Sequence, residues 1–241
     1  PLASIIGFVE TLRGPAKDDE RARDEFLKVI AEQAERMSKL INDLLSLSKI
    51  EMNAHYIPTS RVDLLRIIRG EKQHFEWACK QKNVTIRLKL NDNLPMTKGE
   101  DEELGQVVRN LLGNAIKYTN QDTEVVITAK LTSELPVDNY FRNFSRAICF
   151  SVQDQGEGIP KEHIPRLTER FYRVDSARTR KVGGTGLGLA IVKHVLNRHH
   201  GALTIDSEVG VGSTFSVYLP VYEDALEHEA RQKEYLATQK A

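Results

Sequence analysis

Cysteine is almost missing from this chain: among 241 residues only Cys79 and Cys149 occur, far apart in sequence. With no CxxC pair and no Cys/His metal spacing, the count argues against a disulfide framework and against a zinc site. Long apolar runs are missing too. No stretch approaches the roughly 18 residues of a membrane span, and no secretory leader is visible. Nor is there an excess of either charge. The 34 basic and 34 acidic residues cancel, so the total gives no reason to expect nucleic acid or an anionic membrane as partner. Internal repeats and low-complexity tracts are also lacking. What is left is a chain of a length that fits one or two domains.

Its apolar residues are patterned. Leu2, Ile5, Val9 and Leu12 step by three and four, which predicts a helix that Gly14-Pro15 stops. After Lys17-Asp18-Asp19, where an aspartate can cap the next helix, a longer stripe begins. Phe26, Ile30, Met37, Leu40, Leu44 and Leu47 hold heptad core positions broken only by Gln33, and Leu27, Ala34, Ile41 and Leu45 widen the face. Such a hairpin cannot bury its apolar face alone. Two copies forming a four-helix dimer would, and packing against the chain's own C-terminal part is the alternative.

Residues 54–60, with Pro58, read as a linker between a helical domain over 1–53 and a second domain over 61–222. In the second domain an extended piece at Arg61–Leu64 leads into a helix to about Lys80, and an alternating strand at Val84–Leu90 precedes a helix from Asp101 to Tyr118. Strands at Glu124–Leu131 and Ala147–Gln153 flank a polar connection, 132–146. A helix from Gly186 to His199 and strands at Leu203–Asp206 and Thr214–Leu219 complete an α/β sandwich. Residues 223–241 are charged and read as a helical tail frayed at its end. The fold class is therefore α+β.

Three segments carry chemistry. Asn110 and Asn114 are four apart and share a helix face, followed one turn later by Lys117 and then Tyr118. Asp154-Gln155-Gly156-Glu157-Gly158-Ile159 puts a carboxylate at a strand end before two glycines. Gly183-Gly184-Thr185-Gly186-Leu187-Gly188-Leu189 opens a helical pattern, and glycines there let backbone N–H groups approach phosphates. No Lys-Ser or Lys-Thr follows these glycines, so this is not a P-loop, and they follow a basic loop rather than a strand, so a Rossmann reading fails as well.

In this order the segments resemble the N, G1 and G2 boxes of sensor histidine kinases. Phe171-Tyr172-Arg173-Val174-Asp175 is similar to the F box and Gly210-Val211-Gly212-Ser213-Thr214-Phe215 to the last glycine box. Leu167 to Asp175 further resembles the phosphate-regulon sensor branch. The resemblance implies a dimerisation and phosphotransfer hairpin over 1–53 and an ATP-binding sandwich of the gyrase, chaperone and kinase (GHKL) type. It implies ATP and Mg²⁺ as cofactors. Asn114 would ligate the metal, with Asn110 beside it toward the phosphates, Lys117 on a phosphate and Tyr118 against adenine. Asp154 would accept from the exocyclic amine of adenine, Gly156 and Gly158 would pass beside the base, and Ile159 would wall it. A mobile lid over 173–185 would carry Arg173, Arg178, Lys181 and Gly184, ordered by the triphosphate and Mg²⁺, and Tyr172 of the F box would also contact the nucleotide. Gly186, Leu187 and Gly188 would open the following helix, with Thr214 from the last box.

One expected part is not in the chain. The box His-Glu-x-x-Thr/Asn-Pro ends here at its proline, Pro1, so the phosphoacceptor histidine would lie five residues upstream, and no catalytic residue of that kind is within the sequence. The seven histidines, at 55, 74, 163, 194, 199, 200 and 228, read as surface or packing residues. The function implied is an ATP-dependent protein-histidine kinase core, passing phosphate to the aspartate of a response-regulator receiver domain and also serving as its phosphatase. It would be the cytoplasmic portion of a parent anchored in the inner membrane, with no membrane contact of its own. A pseudokinase scaffold and a related GHKL ATPase are the alternatives. Regulator recognition would fall on the lower hairpin, with Ser4, Gly7, Arg13 and Lys39 as candidates.

Overall fold

The computed structural model describes residues 2–137, 140–141, 144–174, 184–228 and 230. The hairpin is as patterned. Helix α1 (Leu2–Arg13) gives way to a turn at Gly14 and Pro15, and α2 (Glu20–Met52) starts at Asp19, whose carboxylate accepts the Ala22 N–H at 3.1 Å. The two helices are registered by Phe8 and Phe26, whose ring centroids lie 5.1 Å apart. At 33 residues α2 far outruns the 12 of α1, so its C-terminal part leaves the hairpin. That part lies on the second layer of the molecule and buries Leu47 and Ile50 in its core, each such burial contributing about 1.5–3 kcal/mol. Leu27, Ile41, Leu44 and Leu45 of α2 stay exposed, as do Leu2, Ile6 and Val9 of α1. The alternative packing against the C-terminal part thus accounts for one end of the stripe and leaves the rest uncovered.

The second layer is a five-stranded sheet in the order β2-β4-β5-β7-β6, covered on one face by helices. Its strands are β2 (Thr85–Leu90), β4 (Glu124–Thr132), β5 (Ala147–Asp154), β6 (Ala202–Glu208) and β7 (Gly212–Leu219), with only the β2–β4 pair parallel. A separate two-stranded piece pairs β1 (Ser60–Val62) with β3 (Thr97–Gly99). β3 has no counterpart in the sequence reading. Three residues, Thr-Lys-Gly, are too few to show alternation, and its burial comes from tertiary contacts. The helix expected to reach Lys80 is two: α3 (Leu64–His74), capped by Asp63, and α4 (Glu76–Lys82), broken apart at Phe75 and ended by Asn83 in the left-handed region at φ 53°.

Helix α5 (Asp101–Tyr118) lies centrally in the covering layer, with Leu104, Val107, Val108, Leu111, Leu112 and Ala115 buried. Helix α6 (Gly188–Arg198) packs beside it and starts two residues later than the periodicity suggests. The tail begins as a helix over 222–228, tied to the sheet by Arg146, which donates to both oxygens of Asp224 at 2.8 and 2.9 Å. The rest of the tail lies outside the described residues, except residue 230. Among the described residues no helix is long and apolar enough to cross a membrane.

Candidate functional site

Strand β5 alternates inward residues Ile148, Phe150 and Val152, and the same period delivers Asp154 to the helix-covered face at the strand's end. Asp154 is buried. Its Oδ1 accepts the Gly156 N–H at 2.8 Å. Burial pushes its carboxyl above the usual range, opposed by N–H groups of Gly156 and Ser213 and by the charge of Lys82. Across from it runs α5, and between the two opens a cavity of about 700 Å³. Asn110, Asn114, Lys117 and Tyr118 line it from α5, while Asp154 lines it from the end of β5 and Gly158 and Ile159 from just beyond.

The α5 face is polar because of its spacing: residues 110, 114 and 117 step along one side while Leu111, Leu112 and Ala115 face the core. Asn110 lines the cavity, and its buried Nδ2 has no hydrogen-bond partner among the described residues. A Cβ on Gly188 would stand 3.1 Å from Asn110 Oδ1, a tight contact that glycine avoids where the first turn of α6 meets α5. Lys117 is largely enclosed. Burial first, then the charges of Arg173, Lys39 and Arg36, pull its ammonium down to about 8. Its Nζ sits 4.9 Å from the Tyr118 ring centroid. Lys82 donates to the carbonyls of Ile116 and Lys117 at 2.8 and 2.9 Å, placing a cation at the C-terminal end of α5.

Past the sheet the chain makes a 3-10 turn at Ile164–Arg166 and reaches Tyr172, whose hydroxyl lies 2.6 Å from His163 Nδ1 and whose ring lies beneath the Arg166 guanidinium at 4.3 Å. Phe171 takes a left-handed φ of 63°, and its N–H donates to Gly186 O at 2.9 Å. Gly186 must be glycine, since a Cβ there would strike the Phe171 backbone. Arg173 and Gly184 line the cavity, with Arg173 Nη1 donating to Gly184 O at 3.4 Å. Arg178 and Lys181 lie outside the described residues.

Three expected residues are not on the wall. Gly156 sits behind Asp154 in a bridge to Thr119, and Leu187 is buried in the core. Thr214 is paired with the exposed Gln153, on the sheet face away from the helices. Strand alternation hands its place to Ser213 and Phe215, which do line the cavity. Other residues arrive unannounced. Lys39 and Asp43 of α2 form part of the wall, and Thr185 Oγ1 donates to Asp43 Oδ2 at 2.7 Å. Lys39 therefore faces the cavity, although the sequence suggested it for regulator recognition. Spacing could have flagged them: residues 39, 43, 47 and 50 lie along one α2 face.

The sandwich and its lined cavity define a class of nucleotide-handling folds, and the comparisons narrow it. Residues 99–223 match the family described as histidine kinase-, DNA gyrase B- and HSP90-like ATPase, and residues 1–53 match the His kinase A (phospho-acceptor) domain. The chain belongs to the histidine kinase family. It is 39% identical over 221 residues to the phosphate regulon sensor protein PhoR of Pseudomonas aeruginosa, covering 90% of this chain and 46% of that protein. To the sensor histidine kinase WalK of Bacillus subtilis it is 33% identical over 224 residues, covering 93% and 35%. The chain thus spans about a third to about half of these relatives. Among solved structures, full-length ShkA in complex with AMPPNP superposes at a TM-score of 0.65 with 24% identity, covering 90% of this chain and 42% of that one.

Proposed function

We propose that the cavity binds ATP with Mg²⁺ and presents the γ-phosphate to a histidine lying upstream of Pro1, from which the phosphoryl group passes to a receiver-domain aspartate. The observation that carries this is the convergence of the buried Asp154 with Asn110, Asn114 and Lys117 on one wall system. Asp154 accepts from the adenine amine, Ile159 walls the ring, and Tyr118 lies beside it. Asn114 offers its amide oxygen to the metal, with Asn110 beside it toward the phosphates. Phosphate oxygens and water would complete the metal's shell, as is usual for Mg²⁺. Lys117, Arg173 and the first turn of α6 neutralise the charge that spreads over the transferring phosphoryl group. Arg178 and Lys181 join them from the lid.

The domain division 1–53, 54–60, 61–222 and 223–241 suits this reading. So does the hairpin register. A helix prolonged upstream of Leu2, antiparallel to α2 as Phe8 and Phe26 set it, would run alongside the part of α2 that carries Lys39 and Asp43 at the cavity. The exposed apolar residues of α1 and α2 close a homodimer. The same protein acts as phosphatase of its response regulator, and the parent holds this segment in the cytoplasm from the inner membrane. The test is incubation of an upstream-extended protein with γ-labelled ATP and Mg²⁺. Acid-labile, base-stable label should appear on the extended protein and be absent from the 241-residue chain. Release of inorganic phosphate with no label on protein would overturn the reading.

A further inference from the structure

The wall contributed by α2 is unlike the rest of the site, because it comes from the helical hairpin rather than the sandwich. Lys39 and Asp43 stand one turn apart on the α2 face that continues into the buried Leu47 and Ile50. That face is fastened at several points. Asp43 accepts from Thr185, Ser46 Oγ donates to Gln106 Oε1 at 2.9 Å, and Glu51 pairs with Arg170. Arg198 Nε donates to the carbonyls of Asn53 and Tyr56 at 3.2 and 2.9 Å. The helix is therefore held against the cavity mouth, and Lys39 is positioned rather than merely nearby.

Several cations meet at this end of the cavity. Lys39, Lys117 and Arg173 line it with Asp43 as the α2 carboxylate, and Arg36 adds its field from one turn further up α2. Like charges brought close together cost free energy, more so when one is enclosed, and a polyanion entering between them recovers it. Lys117 records it: beyond burial, what lowers its affinity for a proton is Arg173, Lys39 and Arg36, two of them from α2. Asn110 lines the same space.

We infer that Lys39 is a nucleotide-binding residue donated by the helical hairpin, closing over the outer phosphates of the nucleotide opposite Lys117, with Arg36 supporting it. The inference rests on the ATP site proposed above and deepens it. Adenine and the inner phosphate are held by the sandwich alone, whereas the outer phosphates bridge sandwich and hairpin. Nucleotide with a full phosphate tail thereby favours the docked arrangement that the Asp43–Thr185 bond also holds, and binding and docking stabilise each other.

Calorimetry on the 241-residue protein tests it, using ATP with Mg²⁺ and AMP as separate titrants. Lys39→Ala should weaken ATP about fivefold and Lys39→Glu about thirtyfold, with AMP changed less than about twofold, the scale of one partly solvated charge pair and its reversal. Lys28→Ala, an exposed α2 lysine near the hairpin turn, should behave as wild type. Thr185→Val should weaken ATP as well and shrink the effect of Lys39→Ala, since an undocked helix cannot deliver the lysine. Lys39→Ala and Lys39→Glu both binding ATP as wild type would overturn the inference while the ATP site stands. Equal losses for ATP and AMP would also overturn it. Wild-type protein that takes up neither nucleotide would instead remove the ATP site on which it rests.

Discussion

Asp154 carries a burden that its neighbours lighten only in part. It is enclosed, its charge is disfavoured by burial, and its polar partners are backbone N–H groups with Lys82 acting at a distance. A group held at such a cost is worth keeping only for what it recognises. In the ATP reading it accepts the exocyclic amine of adenine through a charge-assisted hydrogen bond. Asp154→Asn relieves the buried charge, so the fold should survive intact. ATP affinity should fall by about tenfold or more, the scale of losing a hydrogen bond to a charged group. A purine nucleoside triphosphate without the amine should bind mutant and wild type alike. Competition titrations with the two nucleotides check this, and an Asp154→Asn protein that still prefers adenine would remove the assigned role.

Among elements, α5 shows how a cap outside the motif governs the motif. Its start is held by His199, at the end of α6. The Glu100 N–H donates to His199 Nε2 at 3.0 Å, and His199 Nδ1 donates to Val195 O at 2.8 Å. That pair of bonds requires the neutral imidazole in one tautomer. Burial, with Arg198 and His200 adding to it against Val195 O and Glu100, pulls its pKa from the ordinary 6.5 down to about 4. The unfolded chain therefore binds the proton first as pH falls. Stability conferred by the neutral form is complete above pH 6.5 and is lost between 6.5 and 4, by roughly 3 kcal/mol at the low end. Thermal midpoints followed across that window should drop for wild type. In His199→Gln, where an amide oxygen can accept the Glu100 N–H without titrating, the slope should flatten. Equal slopes in both proteins would remove His199 as the source.

That histidine also marks where reading from sequence stops. The α5 face was legible because Asn110, Asn114 and Lys117 repeat at helical spacing, and Asp154 because a strand of inward apolar residues ends on it. His199 read as an ordinary packing histidine, since its bond to Glu100 joins residues 99 apart in the chain. Thr214 and Ser213 are adjacent in sequence, and only the register with β5 decides which of them faces the helices. β3 and the break at Phe75 are likewise set by contacts with other elements. Spacing groups Lys39 with Asp43, Leu47 and Ile50 on one α2 face, but that this face meets the cavity depends on how the hairpin lies on the sandwich.

Taken whole, the molecule presents α2 as a helix with two unlike faces. One is spent within the chain, on the cavity and on the core through Leu47 and Ile50. The other leaves Leu45 at 64% and Ile41 at 51% exposed, and α1 exposes Leu2 and Ile6 as well. An apolar surface of that extent on a two-helix hairpin wants a cover of matching shape, and a second copy related by a two-fold axis supplies one. Two-fold symmetry makes each substitution count twice. Leu45→Glu should therefore raise the dimer dissociation constant by about a hundredfold or more, since two carboxylates would have to be buried without partners. Because Leu45 does not line the cavity, the monomer so produced should still bind nucleotide. Sedimentation velocity over a dilution series, paired with nucleotide titration, reads both quantities. A Leu45→Glu protein that stays dimeric would place the contact elsewhere on the chain, and one that loses nucleotide binding together with dimerisation would mean that the cavity itself depends on the second copy.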